Sequence, residues 1–331
     1  MKDFNVVFFG GSITEGAGAS TYKNSYTYMV GEYLKHLYGD RKVNIVNSGI
    51  SGTGSAFGLF RLKRDVIDKK PDLVFVEFAV NDRIVDSYYA SMTFEGVLNQ
   101  LSRLKHKPAV IVLITPTGVA DACASVHKRI SYYYGVPVID IQDYVFRHVG
   151  MDEYTWQNIS IDNLHPNDRG HGIYAKCIIN SIEKDLDAII NVKPISRVKT
   201  TTDYKFKNPN IVSYEKAEFY GHWKEEQINM PQMKMAAISD IVGDFIEFKF
   251  TGRCIAMSTI LSDENGSAEI NIDGTNYFLD LYSNSKPNFS IVINIFNLPD
   301  TSHDMILKVS GKKNGMSKGN RIIIGGFLTD E

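Results

Sequence analysis

Cysteine is scarce: the 331 residues hold three, Cys123, Cys177 and Cys254, far apart in the chain. An odd, dispersed set builds no disulfide framework and offers no paired thiolates to a metal, so buried or idle thiols are expected. A dominant charge sign is also missing. Lys and Arg number 36 against 38 Asp and Glu, a formal net charge of -2 that gives no field for nucleic acid or an anionic membrane. No apolar run approaches the ~20 residues of a membrane-spanning helix. The chain opens with no basic stretch followed by an apolar one, because Asn5–Gly10 already reads as a strand. A cytoplasmic protein is expected, with export of a longer precursor left open. Internal repeats, low-complexity segments and a metal-like cluster are absent from the sequence, so neither metal nor cofactor is expected.

What is present is an ordinary globular composition, 44% hydrophobic and 22% charged, in a chain long enough for two cores. The first part alternates apolar strands with amphipathic segments. NVVFFG, VNIV, DLVFVEF, AVIVLIT and VPVID read as strands. Helical spacing marks Tyr26–Leu37, the face Leu59, Leu62, Val66 and Ile67, then Phe94–Leu104, Ala120–Tyr134 and Asn167–Ile190. Near-continuous apolar strands between such helices predict an α/β fold, a flavodoxin-like doubly wound parallel sheet, over residues 1–192. Residues 193–210 are polar, with Pro194 and Pro209, and read as a linker. Over 211–331, FIEFKF, a hairpin around Asp273–Gly274, FSIVINIF, DMILKVS and RIIIGGF predict an all-β sandwich or jelly roll.

Four short segments carry chemistry. In VVFFGGSITEGAGAS the first apolar strand ends at two glycines and Ser12. The lysine of a phosphate loop, the glycine spacing of a dinucleotide turn and the last glycine of a G-x-S-x-G elbow are all missing. What remains is a serine at a strand's carboxyl end, either a nucleophile or a helix cap. NSGISGTGS follows the second strand, and its Gly49, Gly52 and Gly54 expose backbone N–H groups. It also serves as a plain flexible loop. Its loose match to nicotinamide-binding spacing falls after the wrong strand. FAVND ends the third strand with Asn81, whose amide can donate to a developing negative charge or form an Asx turn. IDNLHPNDRGHG holds His165 three residues after Asp162, and Pro166 keeps His165 out of the helix that follows. A carboxylate so near can orient the imidazole as a general base, and an idle exposed histidine fits the same residues. In a doubly wound sheet all four segments lie along one edge, and that concurrence favours a serine hydrolase.

The Ser12, Gly52, Asn81 and His165 segments, in this order, resemble the four blocks of the SGNH (GDSL-type) hydrolases across roughly Phe4 to Ile190. The resemblance implies Ser12 as nucleophile, His165 as base and Asp162 as its partner. It implies an oxyanion hole from the Ser12 and Gly52 N–H groups and the Asn81 side chain. Two positions depart from the family's usual pattern: Gly11, where an aspartate is common, and Ala79, where a glycine is common. The GGSITEG form looks like members acting on carbohydrate esters. An esterase removing small acyl groups, acetyl above all, from a small molecule or glycan is therefore expected. An O-acyltransferase with the same triad and a silent glycan-binding protein are the alternatives. Tyr22, Tyr26 and Trp156 fall near the proposed edge; core packing or a surface position is the expected role of each, and stacking on a sugar is the alternative.

Overall fold

A computed structural model of the chain describes residues 3–39, 41–119, 123–151, 153–184, 195–196 and 198–331. They divide into two compact units, Met1–Lys205 and Phe206–Glu331. The division falls inside the polar segment 193–210. Part of that segment is fastened to the first unit: Thr201 and Thr202 each donate an N–H and a hydroxyl to the Glu95 carboxylate at 2.6–3.0 Å.

In the first unit β1 (Phe4–Gly10), β2 (Val43–Gly49), β3 (Leu73–Glu77), β4 (Ala109–Ile114) and β5 (Val138–Asp140) pair in parallel, in the order β2-β1-β3-β4-β5. This is the flavodoxin-like doubly wound order. The strands are joined by α1 (Ser12–Glu15), α2 (Tyr26–Leu37), α3 (Ser55–Asp65), α4 (Ala79–Asp82), α5 (Ser87–Ser102) and α6 (Cys123–Tyr133). Then follow α7 (Ile141–Gly150), α8 (Trp156–Ile159) and α9 (Asp168–Lys184). Alternation along β1 separates the two faces of the sheet. Val6 and Phe8 join Val30 and Leu34 of α2 and Ile178 and Ile182 of α9 in one core. Phe9 faces the other way, its ring edge-on to Phe78 and 4.5 Å below the Arg61 guanidinium of α3.

Two helices depart from the expectation. The fifth begins at Ser87 rather than Phe94, because Asp86 caps it by accepting the Tyr88 and Tyr89 N–H groups before any apolar period starts. The seventh buries only Ile141 and Val145, too few positions to show a period, and is started by Asp140 accepting the Asp143 N–H. Residues 120–122 and 185–190 of two expected helices lie outside the described residues.

The second unit contains β6 (Pro209–Ser213), β7 (Glu218–Tyr220), β8 (Lys224–Met230), β9 (Met233–Ser239), β10 (Phe245–Gly252) and β11 (Ile255–Leu261). It continues with β12 (Ser267–Ile272), β13 (Thr275–Asp280), β14 (Asn288–Ile295), β15 (Thr301–Val309), β16 (Ile322–Ile324) and β17 (Gly326–Asp330). Sheets β13-β12-β15-β10-β7 and β14-β11-β17-β6 face each other, with Phe248, Ile270 and Leu307 of one packed in a common core with Ile255, Met257 and Phe327 of the other. A third sheet, β16-β9-β8, flanks them. The hairpin turn has Asp273 at φ 50° and Gly274 at φ 86°, the paired positive angles of a tight hairpin. The three cysteines are buried and form no disulfide among the described residues. Among the described residues no helix is long and apolar enough to cross a membrane.

Candidate active site

Strand order reverses between β1 and β3, and open α/β sheets bind ligands at the carboxyl ends beside such a reversal. Gly10 is level with Gly49 of β2 and with Glu77 of β3, so the loops carrying Ser12, Gly52 and Asn81 leave the sheet at one height.

Ser12 opens α1 and is buried, with 8% of its surface exposed. Its Oγ lies 2.9 Å from His165 Nε2, and His165 Nδ1 lies 2.8 Å from Asp162 Oδ2. A carboxylate only accepts, so Nδ1 carries the hydrogen and Nε2 is left to accept from the Ser12 hydroxyl. The other oxygen of Asp162 accepts the N–H of Leu164 at 2.6 Å and of His165 at 2.7 Å. Partial burial works against this carboxylate. The His165 ring and the two backbone donors outweigh it and hold its pKa below the ordinary value.

The surrounding loop is tied at several points. Ile161 N–H donates to the His165 carbonyl, and Asn167 N–H to that of Ile159, both at 2.9 Å. Ser160 Oγ donates to the carbonyls of Asp162 and His165. The Trp156 indole N–H donates to the Asp162 carbonyl at 3.0 Å. Gly18, at φ +90°, lets the chain after α1 close on this loop: a Cβ there would stand 2.1 Å from the Pro166 carbonyl oxygen.

The turn that carries Ser12 rests on Glu77, a fully buried carboxylate that the sequence reading did not single out. It accepts from Thr14 Oγ1 at 3.0 Å, from Thr115 Oγ1 at 2.9 Å and from the Gly11 N–H. Burial raises its pKa, and these three donors offset only part of the rise. Its signal was an acid closing the otherwise apolar run LVFVE.

Gly52 has φ +70°, a conformation that favours glycine, and its N–H has no acceptor among the described residues. The adjoining Ser51 N–H donates to Glu15 Oε2 at 2.7 Å, and the Ser51 hydroxyl bonds the same oxygen. Asn81, in α4, lies against the turn that carries Ser12. A Cβ placed on Gly11 would stand 2.2 Å from Asn81 Oδ1 and 3.2 Å from the Thr53 carbonyl oxygen. The structure thus brings Ser12, His165 and Asp162 into one hydrogen-bonded chain, with Asn81 and the Gly52 loop beside the turn.

The aromatic candidates fare differently. Tyr26 is 0% exposed, its hydroxyl 2.8 Å from Thr14 Oγ1, so it is a core residue and no sugar platform. Trp156 is half-buried against the core and spends its N–H on the Asp162 carbonyl. Tyr22 is 49% exposed and meets Tyr28 edge-on at 5.6 Å. His171 is scaffold: Nδ1 accepts the Tyr26 N–H and Nε2 donates to the Ala17 carbonyl. No group of His, Cys, Asp and Glu among the described residues could hold a metal ion.

The sequence pattern of the GDSL-like Lipase/Acylhydrolase family matches residues 8–173. An acetylxylan esterase of Geobacillus stearothermophilus is 26% identical over 205 residues, covering 54% of this chain and 93% of that protein. A two-domain esterase (CEX) active on acetylated mannans, crystallised with mannopentaose, shares the fold at a TM-score of 0.83 and 24% identity, over 99% of this chain and 91% of that one. A second crystal structure of that esterase gives 0.81 and 23% over the same shares.

Proposed function

Since the chain belongs to the GDSL-like lipase/acylhydrolase family and is a carboxylic ester hydrolase, we propose that it removes acetyl or similarly small acyl groups from a carbohydrate, through Ser12, His165 and Asp162. The observation that carries the reading is the unbroken chain Asp162–His165–Ser12 at 2.8 and 2.9 Å. The substrate class is supported by the relatives, an acetylxylan esterase and an esterase active on acetylated mannans.

In this reading His165 Nε2 takes the Ser12 proton as Oγ bonds to the acyl carbon and the carbonyl electrons move onto its oxygen. Asp162 holds the imidazole in the tautomer that can do this and stabilises the imidazolium. The oxyanion is met by the Ser12 and Gly52 N–H groups and the Asn81 amide. The tetrahedral intermediate collapses, the C–O bond to the sugar breaks, and His165 returns its proton to the departing alkoxide. Water, deprotonated by the same histidine, then attacks the acyl carbon, the bond to Ser12 Oγ breaks, and His165 gives the proton to Oγ as the acid is released. A quarter of the His165 side chain and nearly half of Asp162 are exposed, 25% and 47%, which gives water access for this second half. Glu77, Glu15 and Asp162 fix the loops beforehand, so little reorganisation is left for the transition state.

The test is acetate release from a panel of acetylated mono- and oligosaccharides by the wild type and Ser12→Ala. The wild type is expected to release acetate and Ser12→Ala to lose at least about a thousandfold in kcat with an unchanged Tm. Full turnover by Ser12→Ala, or a wild type that binds these glycans and cleaves none, would refute the reading.

A further inference from the structure

We propose that His127 is a positioning residue for the oxyanion hole, acting through Asp82 on Asn81 and on the Gly52 loop. The proposal rests on the oxyanion reading of those two groups.

His127 lies on α6 and is 0% exposed. Its Nε2 is 2.9 Å from Asp82 Oδ2, and its ring lies flat on Phe94, centroids 3.7 Å apart and planes 12° apart. Nδ1 is buried with no partner among the described residues. The bond from Nε2 to Asp82 is the ring's one hydrogen bond among the described residues.

Asp82 is 2% exposed and follows Asn81 directly in α4. Its second oxygen, Oδ1, accepts the Ser55 N–H at 2.8 Å, at the start of α3 and three residues after Gly52. The approach is close: a Cβ on Gly54 would stand 2.3 Å from that oxygen. One carboxylate therefore links the turn that carries Asn81 to the end of the loop that carries Gly52. The hydroxyls of Ser55 and Thr93, 2.7 Å apart, add a tie from α3 to α5. α4 is a single turn with backbone bonds from Asn81 and Asp82 N–H to the Phe78 carbonyl. Such a turn does not hold a side chain rigidly by itself, and His127 supplies an anchor from outside it. A donor placed by other side chains' hydrogen bonds and packing keeps its aim as charge develops.

Two amide substitutions separate reach from burial. Gln at 127 can place a donor where Nε2 stands, while Asn is one methylene too short. On 4-nitrophenyl acetate, His127→Asn is expected to lose about tenfold in kcat with KM within about twofold, and His127→Gln to stay within about threefold of the wild type. In an Asn81→Ala background the cost of His127→Asn should shrink to about twofold or less, because the group it aims is gone. Asp82→Asn, which keeps an acceptor for Ser55, should show the same collapse and serves if His127→Asn does not fold. An equal kcat loss from these substitutions in both backgrounds, or equal losses for Gln and Asn, overturns the positioning role alone. Wild-type kcat in Asn81→Ala by itself overturns the oxyanion reading, and the proposal with it.

Discussion

Gly11 is the position where Asn81 and the turn that carries Ser12 compete for one volume. Its φ of -89° lies outside the left-handed region, so an alanine there adds no left-handed strain. The cost of Gly11→Ala comes from the new methyl, 2.2 Å from Asn81 Oδ1. Reaching even 3.0 Å, the shortest separation real Cβ atoms show, requires the amide to retreat by 3.0 − 2.2 = 0.8 Å. The Thr53 carbonyl oxygen, 3.2 Å from the same methyl, further limits the room it has to give way itself. A misplacement near 1 Å costs on the order of a hundredfold in rate. The ceiling is loss of the donor altogether, about a hundred- to a thousandfold. Gly11→Ala is therefore expected to lower kcat on 4-nitrophenyl acetate about thirtyfold, with KM nearly unchanged and Ser12 still labelled by a fluorophosphonate. Asn81→Ala should lose more, and the double variant no more than Asn81→Ala. A Gly11→Ala enzyme with kcat within twofold of the wild type would refute the reasoning, as would losses that multiply in the double variant.

Two further outcomes follow from the buried groups. Burial raises the Glu77 carboxyl above its ordinary 4.5, so the native state holds this proton more tightly than the unfolded chain does. As pH rises above 4.5 the unfolded state ionises first, and this group's contribution to stability falls until the folded pKa is passed. Glu77→Gln removes that slope, and the Thr14 hydroxyl, free to donate to Tyr26 instead, can accept from the new amide. Urea unfolding at several pH values should show the variant gaining on the wild type as pH rises through this window; a pH-independent difference would contradict the assignment. Trp156→Phe removes the indole N–H from the Asp162 carbonyl, and it should lower kcat by roughly threefold, on a small acetate ester and on an acetylated oligosaccharide alike. A loss confined to the oligosaccharide would restore Trp156 as a sugar-stacking residue.

The groups legible in the sequence stand next to a strong local signal. Ser12, Gly52 and Asn81 each follow an apolar strand, and His165 sits between Asp162 and a proline. The groups that were missed are read only through partners distant in the chain. Thr14 and Glu77 are 63 positions apart, and Asp82 and His127 are 45 apart. No periodicity announces such pairs, and a lone buried acid or histidine has no local mark. Tyr26 is legible as a core residue: with Val30 and Leu34 it stands at helical spacing, on the apolar stripe of α2, and all three share one core. In the second unit β10 shows its alternation plainly. β8 opens Lys-Glu-Glu-Gln and is mostly exposed, so nothing in its pattern separates an outer strand from a loop.

Each element of the proposed site is fixed by the same device, a side-chain carboxylate that accepts a backbone N–H beside the working group. Glu77 takes the N–H of Gly11, one residue before Ser12. Glu15 takes that of Ser51, one residue before Gly52. Asp82, one residue after Asn81, takes that of Ser55. Asp162 takes that of His165 itself. A backbone amide held this way has lost its freedom to swing toward solvent, and the neighbouring group loses most of its own. The carboxylates also differ in burial in a way that fits their tasks. Those beneath the turns, Glu77 and Asp82, are 1% and 2% exposed and are spent on local order. Asp162, whose side chain is 47% exposed, has a depressed pKa and keeps its charge where an imidazolium would form. A site assembled from four loops can thus keep its aim, because each loop is clamped within a few residues of the group it carries.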